Sequence, residues 1–212
     1  MATRRAPAPS ASLEFVPPSR SLPTLRKSAR TCTACHLYEN ATQTVFGEGI
    51  APARLMLVGE QPGDEEDRQG HPFVGPAGRL LHEILEEAGL DRSELFVTNA
   101  VKHFKFEPRG KRRIHAKPSY TESMACRGWL DAEIEAVRPR GIVCLGATAA
   151  QSFMGRAFSI TKARGELQAT PWTPHWLATW HPSAVLRAPD HDARVRMRGE
   201  LIDDLRKAYA AA

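Results

Sequence analysis

The sequence RLMLVGEQPG, at positions 54–63, joins an apolar run to a polar turn that contains glycine and proline. A short apolar run that ends in such a turn is typical of a strand buried on both faces of a sheet. Similar runs occupy 94–99, 141–146 and 176–180, and amphipathic stretches separate them. Because strands that alternate with helices form parallel sheets covered on both faces, we predict an α/β fold. The specific expectation is a three-layer α/β/α sandwich with a central, mostly parallel, four-stranded sheet.

The helices between these strands are predicted from apolar residues that recur with helical spacing. Residues 76–88 begin with proline and place Leu81, Ile84 and Leu85 on one face, which indicates an amphipathic helix. The same pattern predicts helices over 121–137, 147–154 and 192–209.

Length and composition indicate one globular domain. A chain of 212 residues, 42% hydrophobic and 25% charged, suits a single core. No run approaches the roughly 18 to 20 apolar residues that span a bilayer, and residues 1–27 lack the apolar core of a secretory signal. We therefore expect a cytoplasmic protein that does not enter a membrane. No apolar stripe is left unused, so we also expect a monomer.

The net charge of +5 is unevenly distributed along the chain. Residues 1–30 hold six Lys or Arg and one acidic residue, whereas the rest of the chain is balanced. Five prolines among Ala, Ser and Arg predict a flexible arm over 1–25, ahead of a single domain over 26–212. A second basic segment, 102–117, carries seven Lys or Arg, two His and one acidic residue. Such a segment is either a solvated loop or a surface that binds phosphate.

Four cysteines suggest a metal centre. Cys32 and Cys35 are separated by two residues, and Cys126 and Cys144 by seventeen. Disulfides are rare in a reducing compartment, and the second spacing is too wide for a usual zinc knuckle. Four thiolates therefore favour an iron–sulfur cluster over zinc. For Cys144 alone the alternative is a small core residue, because it lies in an apolar strand.

Polar segments follow all four predicted strands. They are GEQPG at 59–63, Asn99 with the basic segment, GAT at 146–148 and HPSAVLR at 181–187. Ligands of open α/β sheets bind beyond the carboxyl ends of the strands. We therefore predict one composite site built from these four segments.

Several of these motifs together resemble the family 4 uracil-DNA glycosylases, from about Cys32 to Tyr209. They are GEQPG at 59–63, GHPFVGPAG at 70–78, Asn99, the four cysteines and HPSAVLR at 181–187. Within that superfamily, KRRIH at 111–115 and Gln61 in place of a small residue are similar to the UdgX branch. Members of that branch become covalently joined to the uracil-containing DNA on which they act. The resemblance implies the α/β/α fold, a uracil pocket at the strand ends and a [4Fe-4S] cluster on Cys32, Cys35, Cys126 and Cys144.

A uracil-DNA glycosylase must flip its nucleotide, hold the base and stabilise the charges that separate. The resemblance implies that Phe73 stacks on uracil, that Asn99 hydrogen-bonds its edge and that Gln61 contacts the base or the neighbouring loop. Alternatives are a packed aromatic for Phe73 and a turn cap for Asn99. His181 would donate a hydrogen bond to uracil O2 as the base leaves.

The resemblance also gives His115 the role of the nucleophile that attacks C1′. Glu60 would hydrogen-bond His115 and stabilise the cationic sugar. Contacts with the DNA backbone are expected from Lys111, Arg112, Arg113, Ser183 and Arg187. The sequence thus predicts a glycosylase that excises uracil and stays attached to DNA through His115. Two alternatives remain open: a glycosylase that turns over, and a non-catalytic iron–sulfur module that binds DNA.

Overall fold

The computed structural model describes residues 10–212 and contains a central sheet and a separate hairpin. The strands are β1 (Glu48–Gly49), β2 (Leu55–Gly59), β3 (Leu95–Asn99), β4 (Phe106–Arg109), β5 (Arg112–His115), β6 (Gly141–Leu145) and β7 (His175–Thr179). The α-helices are α1 (Leu22–Ala29), α2 (Asp64–Gln69), α3 (Pro76–Ala88), α4 (Tyr120–Val137), α5 (Ala147–Met154), α6 (Ile160–Ala163), α7 (Pro182–Leu186) and α8 (His191–Ala211). None of the helices between residues 10 and 212 is long and apolar enough to cross a bilayer.

The central sheet has the strand order β1-β3-β2-β6-β7. Strands β2, β3, β6 and β7 are parallel, whereas β1 pairs antiparallel with β3 at the edge. The prediction of a mostly parallel sheet is confirmed, but the sheet has five strands rather than four. The additional strand β1 is two residues long, too short to carry a recognisable alternation.

Alternate residues of β2 face opposite sides of the sheet, as the pleat requires. Leu55 and Leu57 pack in one cluster with residues of α3 and α8. Met56 and Val58 pack in a second cluster with residues of α4 and α5. The three-layer α/β/α sandwich is therefore confirmed.

Residues 10–25 pack against the domain, which differs from the flexible arm predicted over 1–25. Ala11–Glu14 is a 3-10 helix on α4, and Ser12 is buried. The Ser10 hydroxyl donates to the Ala125 carbonyl at 2.8 Å and accepts from the Gly128 N–H at 3.0 Å. Gly128 allows this approach, because a Cβ there would lie 2.8 Å from Ser12 Oγ. Residues 1–9 of the predicted arm lie outside the described residues.

The basic segment contains a two-stranded hairpin, which we name the basic hairpin (β4 and β5, 106–115). Phe106 pairs with His115 and Arg109 with Arg112, and Gly110 at the tip has a φ of 59°. The basic hairpin forms its own sheet, separate from the central one. It carries His115 at its last position.

Candidate active site

A cavity of about 720 Å³ lies at the carboxyl ends of β2, β3, β6 and β7. Residues from all four predicted segments and from the basic hairpin line it. Eight of them are residues singled out in the sequence: Glu60, Gln61, Phe73, Asn99, His115, His181, Ser183 and Arg187. The predicted composite site is thus a single cavity.

His181 follows β7 and caps the N-terminus of α7. Its Nδ1 accepts a hydrogen bond from the Ser183 backbone N–H at 3.1 Å and lies 2.7 Å from the Ser183 hydroxyl. Burial, together with the smaller effect of the positive charge of Arg187, lowers the pKa of His181 to about 4. The ring is therefore neutral near pH 7. With Nδ1 as the acceptor, Nε2 carries the proton and is a hydrogen-bond donor.

Phe73 stacks on this imidazole. The two rings are 6.2 Å apart between centroids and inclined by 28°. Phe73 has a φ of 58°, a left-handed conformation that non-glycine residues adopt at a cost. Gly78, in the first turns of α3, leaves room for it, since a Cβ at Gly78 would overlap the Phe73 carbonyl. The strained backbone holds the Phe73 ring in the cavity wall.

Asn99 ends β3 and is 3% exposed. It lies beside Gly59, the last residue of the adjacent strand β2. A Cβ at Gly59 would overlap Asn99 Oδ1 and lie 2.6 Å from Phe73 Cζ. Glycine at position 59 thus lets an amide and an aromatic ring meet at one point of the cavity.

Gln61 fixes the base of the basic hairpin. Its Oε1 accepts from the Lys105 backbone N–H at 3.0 Å, and its Nε2 donates to the carbonyls of Lys105 and Ala116 at 3.1 and 3.0 Å. The same Nε2 lies 2.9 Å from His115 Nε2. The amide nitrogen has only two hydrogens for these three neighbours, so the contact places the His115 ring at the base of the basic hairpin without deciding which ring nitrogen carries the proton.

Glu60 lies next to the same histidine nitrogen. Its Oε1 is 3.4 Å from His115 Nε2, and its Oε2 accepts from the Thr148 hydroxyl at 2.5 Å. His115 is half exposed, so a bound molecule can reach the ring. The cavity therefore holds an accessible imidazole beside a carboxylate.

Glu66, which the sequence analysis did not single out, connects two loops of the cavity. Its Oε2 accepts from the Gly63 N–H at 3.0 Å, and its Oε1 accepts from the Gly75 N–H at 2.9 Å. Gly63 and Gly75 are the N-caps of α2 and α3. One buried carboxylate thus joins the loop of Gln61 to the loop of Phe73. A glutamate three residues after the N-cap of a helix is a known capping pattern, so the sequence could have predicted the bond to Gly63. No local pattern predicts the bond to Gly75.

Arg113 was predicted to bind DNA, but the structure places it against α2. Its guanidinium forms ion pairs with Asp64 and, at 2.6 Å, with the buried Asp67. Those carboxylates occupy the donors that a phosphate would need, so we correct this assignment. Lys111 and Arg112 are exposed at the tip of the basic hairpin.

Lys102, counted in the basic segment, is also unavailable to DNA because it is buried and paired with Glu133. Ser183 and Arg187 remain at the cavity, where Arg187 donates to the Ser183 hydroxyl at 3.1 Å.

Three of the four cysteines share one region. Cys32 and Cys126 belong to a single buried cluster, and Cys35 packs against it. Cys144 lies instead on β6 in the core between the sheet and α4 and α5, together with Met56 and Trp176. The assignment of Cys144 as a fourth cluster ligand is therefore wrong. It is the small core residue that its apolar strand suggested.

The three-cysteine region fits a metal–sulfur group in one further respect. The Trp129 indole N–H is buried in the same cluster of side chains and has no hydrogen-bond partner among residues 10–212. A buried donor without a partner is unfavourable in a protein interior. The sulfur atoms of a bound cluster are acceptors of the kind that such a donor needs.

Fold and cavity together define a class of protein: an α/β/α domain with a pocket at the strand ends that is lined by an aromatic ring, an amide and a neutral imidazole. Residues 46–206 match the family model of the uracil DNA glycosylase superfamily. The chain belongs to the uracil-DNA glycosylase superfamily.

Its relatives include type-4 uracil-DNA glycosylases. That of Thermotoga maritima is 41% identical over 180 residues, which cover 84% of this chain and 88% of that protein. That of Sulfurisphaera tokodaii is 38% identical over 80% of this chain and 78% of the relative. That of Archaeoglobus fulgidus is 35% identical over 88% of this chain and 91% of the relative.

Proposed function

We propose that this protein excises uracil from DNA and then stays covalently joined to the DNA through His115. Membership of the superfamily and the likeness to type-4 enzymes support the excision. One observation carries the covalent step: the half-exposed His115 ring lines the cavity, with its Nε2 2.9 Å from the Gln61 amide nitrogen and 3.4 Å from Glu60 Oε1. A neutral imidazole with a free lone pair is a competent nucleophile near neutral pH.

The cavity residues divide the work of base recognition. The flipped uracil stacks on Phe73, and the Asn99 amide offers a donor and an acceptor to one edge of the ring. His181 Nε2–H donates to uracil O2, where negative charge develops as the glycosidic bond breaks. Because its pKa is about 4, His181 acts as a neutral donor rather than as an acid.

The covalent step exchanges one bond at C1′ for another. The C1′–N1 bond breaks and its electron pair leaves with uracil, while the Glu60 carboxylate stabilises the cationic sugar. The lone pair of His115 Nε2 then forms a bond to C1′, which makes the imidazole cationic. Loss of the Nδ1 proton to water leaves a neutral substituted imidazole. The protein reacts once and keeps the DNA.

DNA binding is assigned to exposed cations near the cavity. Lys111 and Arg112 at the tip of the basic hairpin are free to contact phosphates, and Arg187 lies at the opposite rim. The Ser183 hydroxyl orients His181 and can contact the same phosphate as Arg187.

We also propose an iron–sulfur cluster held by Cys32, Cys35 and Cys126. When bound, such a cluster ties α4 to the N-terminal segment and supplies folding free energy. A fourth ligand other than Cys144 is then needed. His36 adjoins Cys35 in the chain but is exposed and contacts Glu122 at 3.2 Å, whereas His103 is buried with its Nε2 3.0 Å from the Thr44 hydroxyl. His103 follows Lys102, whose backbone N–H donates to Cys126 Sγ at 3.3 Å, so His103 is our candidate.

A denaturing gel tests the covalent proposal. The cluster-loaded protein is mixed with a labelled single-stranded oligonucleotide that contains uracil or thymine. We expect a shifted band that needs uracil and survives heat and detergent. His115→Ala should abolish this band, whereas His82→Ala, which removes an exposed histidine on α3, should not. Free abasic product without a shifted band would indicate a glycosylase that turns over, and binding without any reaction would indicate a non-catalytic module.

A further inference from the structure

Lys102 and Glu133 form a buried ion pair that the proposed chemistry does not use. Lys102 Nζ lies 2.6 Å from Glu133 Oε2, and the two side chains are 1% and 0% exposed. Glu133, on α4, also accepts hydrogen bonds from the Gly47 N–H, just before the edge strand β1, and from the Thr98 hydroxyl on β3. A buried ion pair contributes little net stability, because desolvation of both charges offsets their attraction. The contacts of this ion pair, which show the residues that it holds in place, therefore indicate its role better than its contribution to stability does.

The Lys102 ammonium has three donors, and each has an acceptor. They are Glu133 Oε2, Thr98 Oγ1 at 2.6 Å and the Asn99 carbonyl at 2.7 Å. The Lys102 backbone N–H donates to Cys126 Sγ at 3.3 Å. A single residue thus contacts both the backbone of Asn99 and a thiol of the proposed cluster site.

The turn after β3 is held from the other side by the GEQPG segment at 59–63. The Ala100 N–H donates to the Gly59 carbonyl at 2.9 Å, and the Val101 N–H donates to the Glu60 carbonyl at 3.0 Å. These bonds fix the residues after Asn99, whereas the Lys102 ammonium fixes the carbonyl of Asn99 itself. The Asn99 carbonyl and the Ala100 N–H belong to one peptide group, so Gly59 holds one side of that group and the Lys102 ammonium holds the other.

We propose that Lys102, anchored on Glu133, is a positioning residue that holds Asn99 in the orientation required to bind uracil. The inference rests on the proposed role of Asn99 in the cavity. A substitution at position 102 should then act through Asn99 and should lose its effect once the Asn99 amide is gone. A purely structural role would instead lower activity by the same factor whatever residue stands at 99.

A mutant cycle tests this coupling. Lys102→Met is combined with Glu133→Gln, so that no unpaired charge remains buried. Uracil release is measured in a single turnover with saturating protein. We expect the paired substitution to slow release at least tenfold, and Asn99→Ala to slow it further. Adding the paired substitution to Asn99→Ala should change the rate by no more than about twofold.

The matched control is the ion pair between Arg164 and Asp204, 2.6 Å apart beside α8. Arg164→Met with Asp204→Asn removes a partly buried pair that does not contact Asn99, so its effect should multiply with that of Asn99→Ala. Affinity for a thymine oligonucleotide and the visible absorption of the cluster show whether binding and loading are retained. Multiplicative effects for Lys102 as well would overturn the inference.

The experiment distinguishes failure of the proposed role of Asn99 from failure of the inference about Lys102. If Asn99→Ala alone leaves uracil release unchanged, the proposed function of Asn99 fails and the inference falls with it. If Asn99→Ala slows release but the Lys102 effect multiplies with it, only the inference fails. Should the paired variant not fold, Glu133→Asp retains the charge and withdraws the carboxylate by one methylene. A three- to tenfold loss that disappears in the Asn99→Ala background would then support the inference, and a loss that persists there would refute it.

Discussion

Removal of the Glu66 carboxylate should loosen both loops of the cavity and destabilise the protein more than its position on a short helix suggests. Glu66 accepts two backbone hydrogen bonds, at 3.0 Å from Gly63 and 2.9 Å from Gly75. A hydrogen bond to a charged group contributes about 1.5–3 kcal/mol. We therefore expect Glu66→Ala to lower the free energy of unfolding by about 3–6 kcal/mol, since two such bonds are lost.

Glu66→Gln tests the contribution of the negative charge, because glutamine has nearly the same shape as glutamate. Glutamine keeps one acceptor oxygen and presents an amide nitrogen to the other N–H, so about half of the Glu66→Ala effect should remain. Glu65 provides the matched control on the same helix, because it is exposed and paired with Arg79 at 3.0 Å. An exposed ion pair contributes about 0–1 kcal/mol, so Glu65→Ala should be nearly neutral.

The assay is urea unfolding of the cluster-loaded protein, followed by far-ultraviolet circular dichroism. A shift of the midpoint at a constant slope reports a change in stability. The expected order of stability is wild type and Glu65→Ala, then Glu66→Gln, then Glu66→Ala. A Glu66→Ala midpoint equal to that of Glu65→Ala would refute the idea that one carboxylate joins the two loops.

Three further results are expected. Gly59→Ala places a methyl group against Asn99 Oδ1 and should slow uracil release at least tenfold in a folded protein, as measured in a single turnover. Cys126→Ala should abolish the visible absorption of the cluster, whereas Cys144→Ala should retain it. Because burial lowers the pKa of His181 to about 4, the unfolded chain binds this proton first as the pH falls. The free energy of unfolding should therefore fall between about pH 6.5 and pH 4, and His181→Asn should flatten that part of a stability profile.

The sequence allowed the regular elements to be predicted closely. The helices over 76–88 and 147–154 begin and end where their patterns predicted, and each predicted strand of the central sheet lies within one residue of its observed bounds. Apolar periodicity and flanking glycine and proline determine such elements locally. The convergence of the four strand ends followed from the topology of parallel sheets.

Individual side-chain partners were less predictable, because they lie far apart in the chain. Lys102 and Arg113 look like surface cations in a basic segment, yet one pairs with Glu133 and the other with Asp64 and Asp67. Cys144 was grouped with the other cysteines because there are four of them and because the family resemblance implied a cluster on all four. No local sequence pattern shows which side of the sheet such a residue faces or which charged side chain it contacts there.

The basic hairpin occupies the connection between β3 and α4 and shares no strand pairing with the central sheet. An insertion of this kind can be lengthened, exchanged or deleted without a change of register in β2, which precedes Glu60, or in β3, which ends at Asn99. The imidazole proposed as the nucleophile is thus carried on a segment separate from the strands that lead to the proposed base-binding residues. Altering this one connecting segment would therefore change the proposed covalent attachment while leaving the strands that lead to the proposed base-binding residues in place.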